Sequence, residues 1–528
     1  MMFCKMENEV DKLEFINVLQ RLGVDYHFNN EIRNMLDNIY NSQTSNLKKN
    51  LHATTLKFRI LRQHGYDISS DVFVSFRDEM RGLKTDQTID VEGMLSMYEA
   101  SFHSFEDETI LDEARDFTTK FLKEYLNKNN DVMSLQISNA LELPIHWRIP
   151  RWEAQWFIGV YEKKKNMSPV LLQFAKLDYN IVQSIYQEEL QYSSSWWERT
   201  VLGGKLNFSR DRIVENYIWT VGTIFNPNSG YFRKVVTKIV ALITLIDDVY
   251  DVYGTLEDLE LFTEALDRWD LNGLDSLPEY MKICFKPLYT FVNEAASEIQ
   301  IKSGCDITSH LKKAWTDQCK TYMTEARWYH SGYAPTLEEY LENAWISVGT
   351  ANILIHGYFL TQHGFKMEDM ACLEQDSNII RFSEMVVRLA NDLGTYKREN
   401  DTGDIPKTVQ CYMNKTGASE IDACEHVNSM ILTVWKKMNK EAHTSSFSRS
   451  YTDSAINIAR MAMCMYMHGD GHSIQDPEIK NRIMSLIFQP IPIVSTQHVM
   501  DRGLNSDEFG SKNNGSNDLN LHHGNSSL

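Results

Sequence analysis

Apolar residues recur along this chain at the three- and four-residue spacing of a helix, and no alternating valine and threonine runs mark strands. Leu13, Ile16, Leu19 and Leu22 share one face; the pattern breaks near Gly23 and resumes as a second amphipathic stretch to Tyr40. Further helices are predicted around His52–His64, Val91–Ser101, Ile110–Leu126 and Arg151–Tyr161. Only 11 prolines and 25 glycines interrupt a chain of 528 residues, which is long enough for two domains with their own cores. The predicted fold class is all-α.

One stretch departs from this pattern. Leu242–Gly254, LITLIDDVYDVYG, is an apolar run that ends in three carboxylates, Asp247, Asp248 and Asp251. Like charges so spaced repel, and ionised groups resist burial, so something must compensate them. If Phe232–Tyr253 is one helix turning about 100° per residue, Asp247 and Asp251 share a face and Asp248 lies roughly a quarter turn away. Such a pair suits a hard divalent cation, although a solvated helix end would also carry it.

A second acidic stretch weighs against the solvated end. Arg388, Asn391, Thr395 and Glu399 fall within one narrow polar stripe of a helix whose other side carries Val386, Leu389, Leu393 and Tyr396. Asp392 falls on the edge of the stripe. An amide, a hydroxyl and a carboxylate at successive turns make a row of oxygen ligands, with a fixed positive charge at Arg388 one turn earlier. Two opposed oxygen rows in an apolar setting imply several cations holding a polyanion, with Mg²⁺ the default and a diphosphate the natural bridging ligand.

Together, DDVYD from Asp247, NDLGTYKRE from Asn391 and RDR from Arg210 resemble the signature set of plant terpene synthases. The resemblance runs from about Phe15 to Pro492. It takes in LHATTLKFRILRQHGY from Leu51, LPIHWRIPRWEAQWFI from Leu143, WWERTVLGGKLNFSRDR from Trp196 and YMHGDGHS from Tyr466.

Several expectations follow from that resemblance. Residues 1–195 correspond to a non-catalytic helical domain and residues 196–495 to a metal-binding catalytic bundle, with a boundary in the polar run SSSWWERT; residues 496–528 form a tail too polar to bury a core. Asp247 and Asp251 hold one pair of Mg²⁺ ions and Asn391, Thr395 and Glu399 a third, with Mn²⁺ a possible substitute. Arg210, Arg212 and Arg388 grip the diphosphate. Trp219 lies at the apolar floor of the cavity, and Tyr466 with Tyr250, Trp315 and Tyr322 on its wall. The resemblance also implies a helix break at Ser347–Gly349. Lys397–Lys407 and His468–Pro477 read as loops flanking the mouth.

The remaining composition narrows the setting. A net charge of −19 argues against nucleic acid or anionic membrane as partner, and no apolar run approaches the roughly 20 residues that cross a bilayer. Eight scattered cysteines without a CxxC pair predict free thiols. The first residues have neither a signal core nor an acid-poor transit stretch, so a cytosolic monomer is expected.

No DxDD acid occurs, so ionisation by loss of diphosphate is favoured over protonation. The tandem-arginine motif of many monoterpene synthases is also absent, which resembles the branch making acyclic alcohols, linalool from geranyl diphosphate and nerolidol from farnesyl diphosphate. With the cytosolic expectation, farnesyl diphosphate is the expected cellular substrate. The competing readings are a cyclising or olefin-forming synthase, a chain-elongating prenyltransferase, which would normally carry a second DDxxD, and a non-catalytic isoprenoid-binding protein.

Overall fold

The computed structural model describes residues 8–42, 50–76, 90–200, 209–361, 378–472 and 477–493, with the single positions 6, 206 and 373. Among them every assigned element is helical, and the all-α reading holds. The predicted tail and part of the His468–Pro477 segment lie outside the described residues.

Local signals set the early elements. Asn8 and Asn50 cap Glu9–Arg21 and Leu51–Gln63 by accepting from the Val10 and Ala53 N–H groups. Gly23, at φ +71°, ends the first helix, as the sequence predicted. Leu13, Ile16 and Leu19 are fully buried, so the first amphipathic face is a core face.

Pro169–Thr200 is one long helix, so the polar run SSSWWERT is its last part and not a linker between helices. Its Glu189 accepts a bidentate pair from Arg233 at 2.7 and 2.8 Å and a third bond from the Tyr217 hydroxyl at 2.8 Å. A buried carboxylate so satisfied welds this helix to Ile213–Thr223 and Gly230–Asp248. The predicted boundary at residue 195 falls inside it, and residues up to Pro490 cluster as one unit.

The helix Asn378–Thr402 packs on Leu337–Ser347, Thr350–Thr361, Glu420–Thr444 and Arg449–Met465. It runs through Lys397–Thr402, where a loop was expected; only Gly403–Lys407 loops, because the helical register closes at Asp404 N–H to Glu399 C=O. The six described cysteines are free thiols. No described helix is long and apolar enough to cross a membrane.

Candidate active site

The Gly230–Asp248 helix presents Val240, Ile243 and Thr244 to a cavity of about 640 Å³ and ends in the aspartates. Beyond Asp248 the chain takes one π turn, Val249–Tyr253, instead of continuing as the predicted α-helix. The wider turn still leaves Asp247 and Asp251 on the cavity. Asp248 faces inward and is fully buried: it accepts from Arg210 Nε at 2.5 Å and from the Arg210 backbone N–H at 2.7 Å. Arg210 Nη2 reaches Asp247 at 2.6 Å.

Across the cavity, Arg388, Asn391, Thr395 and Glu399 all line the same space, as a single helical stripe should. Asp392, which the helical angles left on the edge, is fully buried behind it. It accepts from the Tyr340 hydroxyl at 3.1 Å, the Thr408 N–H at 3.1 Å and the Thr408 hydroxyl at 2.5 Å, a structural anchor for the chain after the loop. Arg388 donates to the Ala344 carbonyl at 2.8 Å and the Ser347 hydroxyl at 3.0 Å, fixing the end of Leu337–Ser347 where the chain breaks. Gly349 makes that break at φ +78°. A β-carbon there would meet Gln318 Nε2 at 2.6 Å and Ile243 at 3.1 Å.

The walls between the two rows are aromatic and apolar. Trp219, Tyr250, Tyr322 and Tyr466 line the cavity, with the Trp219 and Tyr466 rings 6.1 Å apart. Trp315 does not line it; that ring is fully buried and packs edge-on to His356 at 6.1 Å. Arg212 is not among the lining residues: its backbone, at φ −127° and ψ 26°, caps the next helix, and its Nη1 donates to the Asp211 carbonyl.

Other lining groups escaped the sequence patterns. Glu325 accepts from the Ser347 hydroxyl at 2.6 Å and Asn343 Nδ2 at 2.9 Å, and Lys407, Arg398, Asp470 and His472 also line the cavity. Only their place beside motif residues could have signalled them: Arg398 within NDLGTYKRE, and Asp470 with His472 within YMHGDGHS. Arg398 pairs with Asp470 at 2.5 Å, and Gly394 lets the 466–469 chain approach, since a β-carbon there would lie 2.9 Å from the Gly469 carbonyl.

Six carboxylates face four permanent cations among the lining residues. Asp251 opens onto the cavity yet is hemmed in by protein; that enclosure, then the neighbouring Asp247 charge, push it well above the usual carboxylate range. Enclosure also raises Glu399, against the pull of Lys407. Carboxylates pushed upward in this way lack positive charge, and an oxygen-only donor set that lacks it fits a hard divalent cation.

The family description "Terpene synthase, N-terminal domain" matches residues 1–141 and "Terpene synthase family, metal binding domain" matches residues 199–437. A chloroplastic myrcene synthase of Quercus ilex is 51% identical over 93% of this chain and 83% of its own length. A chloroplastic linalool synthase of Coffea arabica is 47% identical over 93% of this chain and 84% of its own. Isoprene synthase from grey poplar leaves (Populus x canescens), solved in complex with three Mg²⁺ ions and dimethylallyl-S-thiolodiphosphate, superposes with a TM-score of 0.85 at 41% identity, covering 91% of this chain and 92% of that one. Relatives described as chloroplastic overturn the expectation of a cytosolic protein, and with it the argument for farnesyl diphosphate. With a divalent-metal domain matched and relatives this close over nearly the whole chain, the protein belongs to the terpene synthase family, lyases that act on prenyl diphosphates.

Proposed function

We propose that this chain is a plastid monoterpene synthase that ionises geranyl diphosphate and releases diphosphate from an acyclic C10 cation. One observation carries the reading: Asp247, Asp251, Asn391, Thr395 and Glu399 share one cavity with the rings of Trp219, Tyr250, Tyr322 and Tyr466 and the aliphatic side chains of Val240, Ile243 and Ile353. The relatives named for myrcene and linalool, both C10 compounds, support the chain length.

In this reading residues 1–195 act as scaffold and 196–495 carry the chemistry, in a monomer. Asp247 and Asp251 would hold Mg²⁺ on one side and Asn391, Thr395 and Glu399 on the other, three ions in all as in the isoprene synthase complex, with Mn²⁺ able to substitute. The bound cations supply Lewis-acid stabilisation of the departing diphosphate. Arg210 and Arg388 are the lining cations placed to meet its oxygens, and Arg212, off the cavity wall, would join them only by turning inward.

Cleavage of the allylic C–O bond leaves its electron pair on diphosphate and a cation in the cavity. The ring faces of Trp219 and Tyr466 would stabilise it by about 2 kcal/mol once desolvated. Val240, Ile243 and Ile353 line the cavity with aliphatic surface; capture of the cation by one water, followed by loss of a proton, gives linalool, and direct loss of a proton gives myrcene.

Purified protein incubated with Mg²⁺ and either geranyl or farnesyl diphosphate, with products read by gas chromatography, tests the proposal. Acyclic C10 volatiles from geranyl diphosphate are expected; cyclic products, a longer diphosphate or binding without turnover would each reject it. Trp219→Leu should change the product mixture more than the KM, and an unchanged mixture would remove Trp219 from the cavity floor.

A further inference from the structure

A second cavity, about 610 Å³, shares no lining residue with the site above. It lies between helices Glu9–Arg21 and Leu51–Gln63 on one side and Arg449–Met465 on the other. Arg21, Arg33, Arg59, Arg148, Arg449 and Arg460 line it against three carboxylates, Asp25, Glu153 and Asp453, in a chain of net charge −19.

Three of these arginines are compensated. Arg21 and Arg148 share Glu153 at 2.8 and 2.5 Å, and Arg449 pairs with Asp453 at 2.9 Å. Arg59 and Arg460 are not. Arg59 is only 6% exposed, yet its guanidinium has one hydrogen bond, to Asn17 Oδ1 at 2.6 Å, and no carboxylate in ion-pair reach among the described residues. Nearby acids are committed elsewhere: Glu99 to the Ile145 N–H and Arg148, Glu14 to His52.

Arg460 donates to the His146 carbonyl at 2.7 Å and Asn457 Oδ1 at 2.8 Å, both neutral. His103 and His146 line the same cavity with rings 3.9 Å apart, and burial holds both uncharged, His146 down to about 3. Arg59 is buried and Arg460 half-buried, neither touches a carboxylate among the described residues, and desolvation pulls both guanidinium groups down to about 10. A cavity walled by them is built to receive the missing negative charge.

We propose that this cavity binds a small, multiply charged oxyanion of the phosphate or diphosphate class, held by Arg59 from the N-terminal half and Arg460 from the C-terminal half. Planar guanidinium forks present parallel N–H donors that match the oxygens of a phosphate group. Because Arg460 sits on the helix that leads directly to Tyr466 of the active cavity, occupancy ties the N-terminal helices to one wall of the active site.

Isothermal titration calorimetry of the full-length protein in EDTA, with inorganic diphosphate in one arm and orthophosphate in the other, tests this. Chelation removes the metal on which anion binding between Asp247 and Glu399 depends. Saturable binding by the wild type in either arm is expected, the tighter arm naming the ligand, and Arg59→Gln and Arg460→Gln should each weaken it about tenfold or more. On the wild-type chain, the same anion should protect Arg460 from phenylglyoxal, read by mass spectrometry. Absence of saturable binding, wild-type affinity in either variant, or unprotected Arg460 overturns the proposal.

Discussion

Asp248 accepts two hydrogen bonds from one residue, Arg210, through the side-chain Nε at 2.5 Å and the backbone N–H at 2.7 Å. The second aspartate of the acidic cluster therefore positions an arginine, while Asp247 and Asp251 face the cavity. Burial raises Asp248 despite the pull of Arg210, so the ion pair adds little net stability. Because Arg210 keeps Asp247 at 2.6 Å, Asp248→Asn should lower the free energy of unfolding in urea by only about 1 kcal/mol while turnover falls, since the amide keeps an acceptor for Arg210 but not the charge that orients it. A loss of several times that stability would make the pair a stability element and defeat this account.

The crowded carboxylates give a metal-linked prediction. Asp251→Asn and Glu399→Gln should each raise the Tm of the metal-free protein, since each removes a charge that the enclosure disfavours. Turnover should drop on the order of 100-fold or more. Added Mg²⁺ should stabilise the wild type by about 2.7 kcal/mol at about a hundred times its Kd and the variants far less. An equal Mg²⁺-induced shift in all three proteins would take the metal away from these residues.

Stability should also depend on pH through His356. Burial holds its imidazole down to about 4, with Nδ1–H donating to the Asn352 carbonyl at 2.7 Å. Between about pH 6.5, where the unfolded chain takes up the proton, and pH 4, the unfolded state binds more protons, so stability falls as pH falls. Asp251 and Glu399, shifted upward, act in the opposite sense, since the folded state takes the proton first. The difference between wild type and His356→Gln isolates the histidine. The wild-type slope should be steeper by up to about 1.4 kcal/mol per pH unit, and parallel curves would show that His356 titrates normally.

At Gly349 the backbone demands a residue that tolerates φ +78°. Gly349→Ala should cost about 1–2 kcal/mol from backbone conformation alone. The added methyl would also press on Gln318, whose Nε2 donates to the Tyr322 hydroxyl at 2.7 Å on the cavity wall. Product distribution should change together with the denaturation midpoint; a stable variant with the parental products would mean that the break is incidental.

Much of the local structure was readable from residue order alone. The helix at Val91–Ser101, the break at Gly23 and the stripe from Arg388 to Glu399 follow from periodicity and backbone chemistry, which act over one or two turns. Those rules do not reach partners distant in sequence. Asp248 and Asp392 belong to the two acidic motifs, but burial against Arg210 in one case and Tyr340 and Thr408 in the other makes them anchors. Arg212, which opens a helix, does not line the cavity, and Trp315 fails as a wall because it packs against His356.

Sequence by itself determined the all-α class, the two oxygen rows and the residues in them, since helical spacing dictates which side chains share a face. Tertiary structure decided which carboxylates meet the cavity and which are buried as supports, and it recruited Glu325 from an element without a motif. It also gathered six arginines from separate segments around one space. The physical reason is that charge compensation depends on distance in space, and chain order specifies that distance only within a helix.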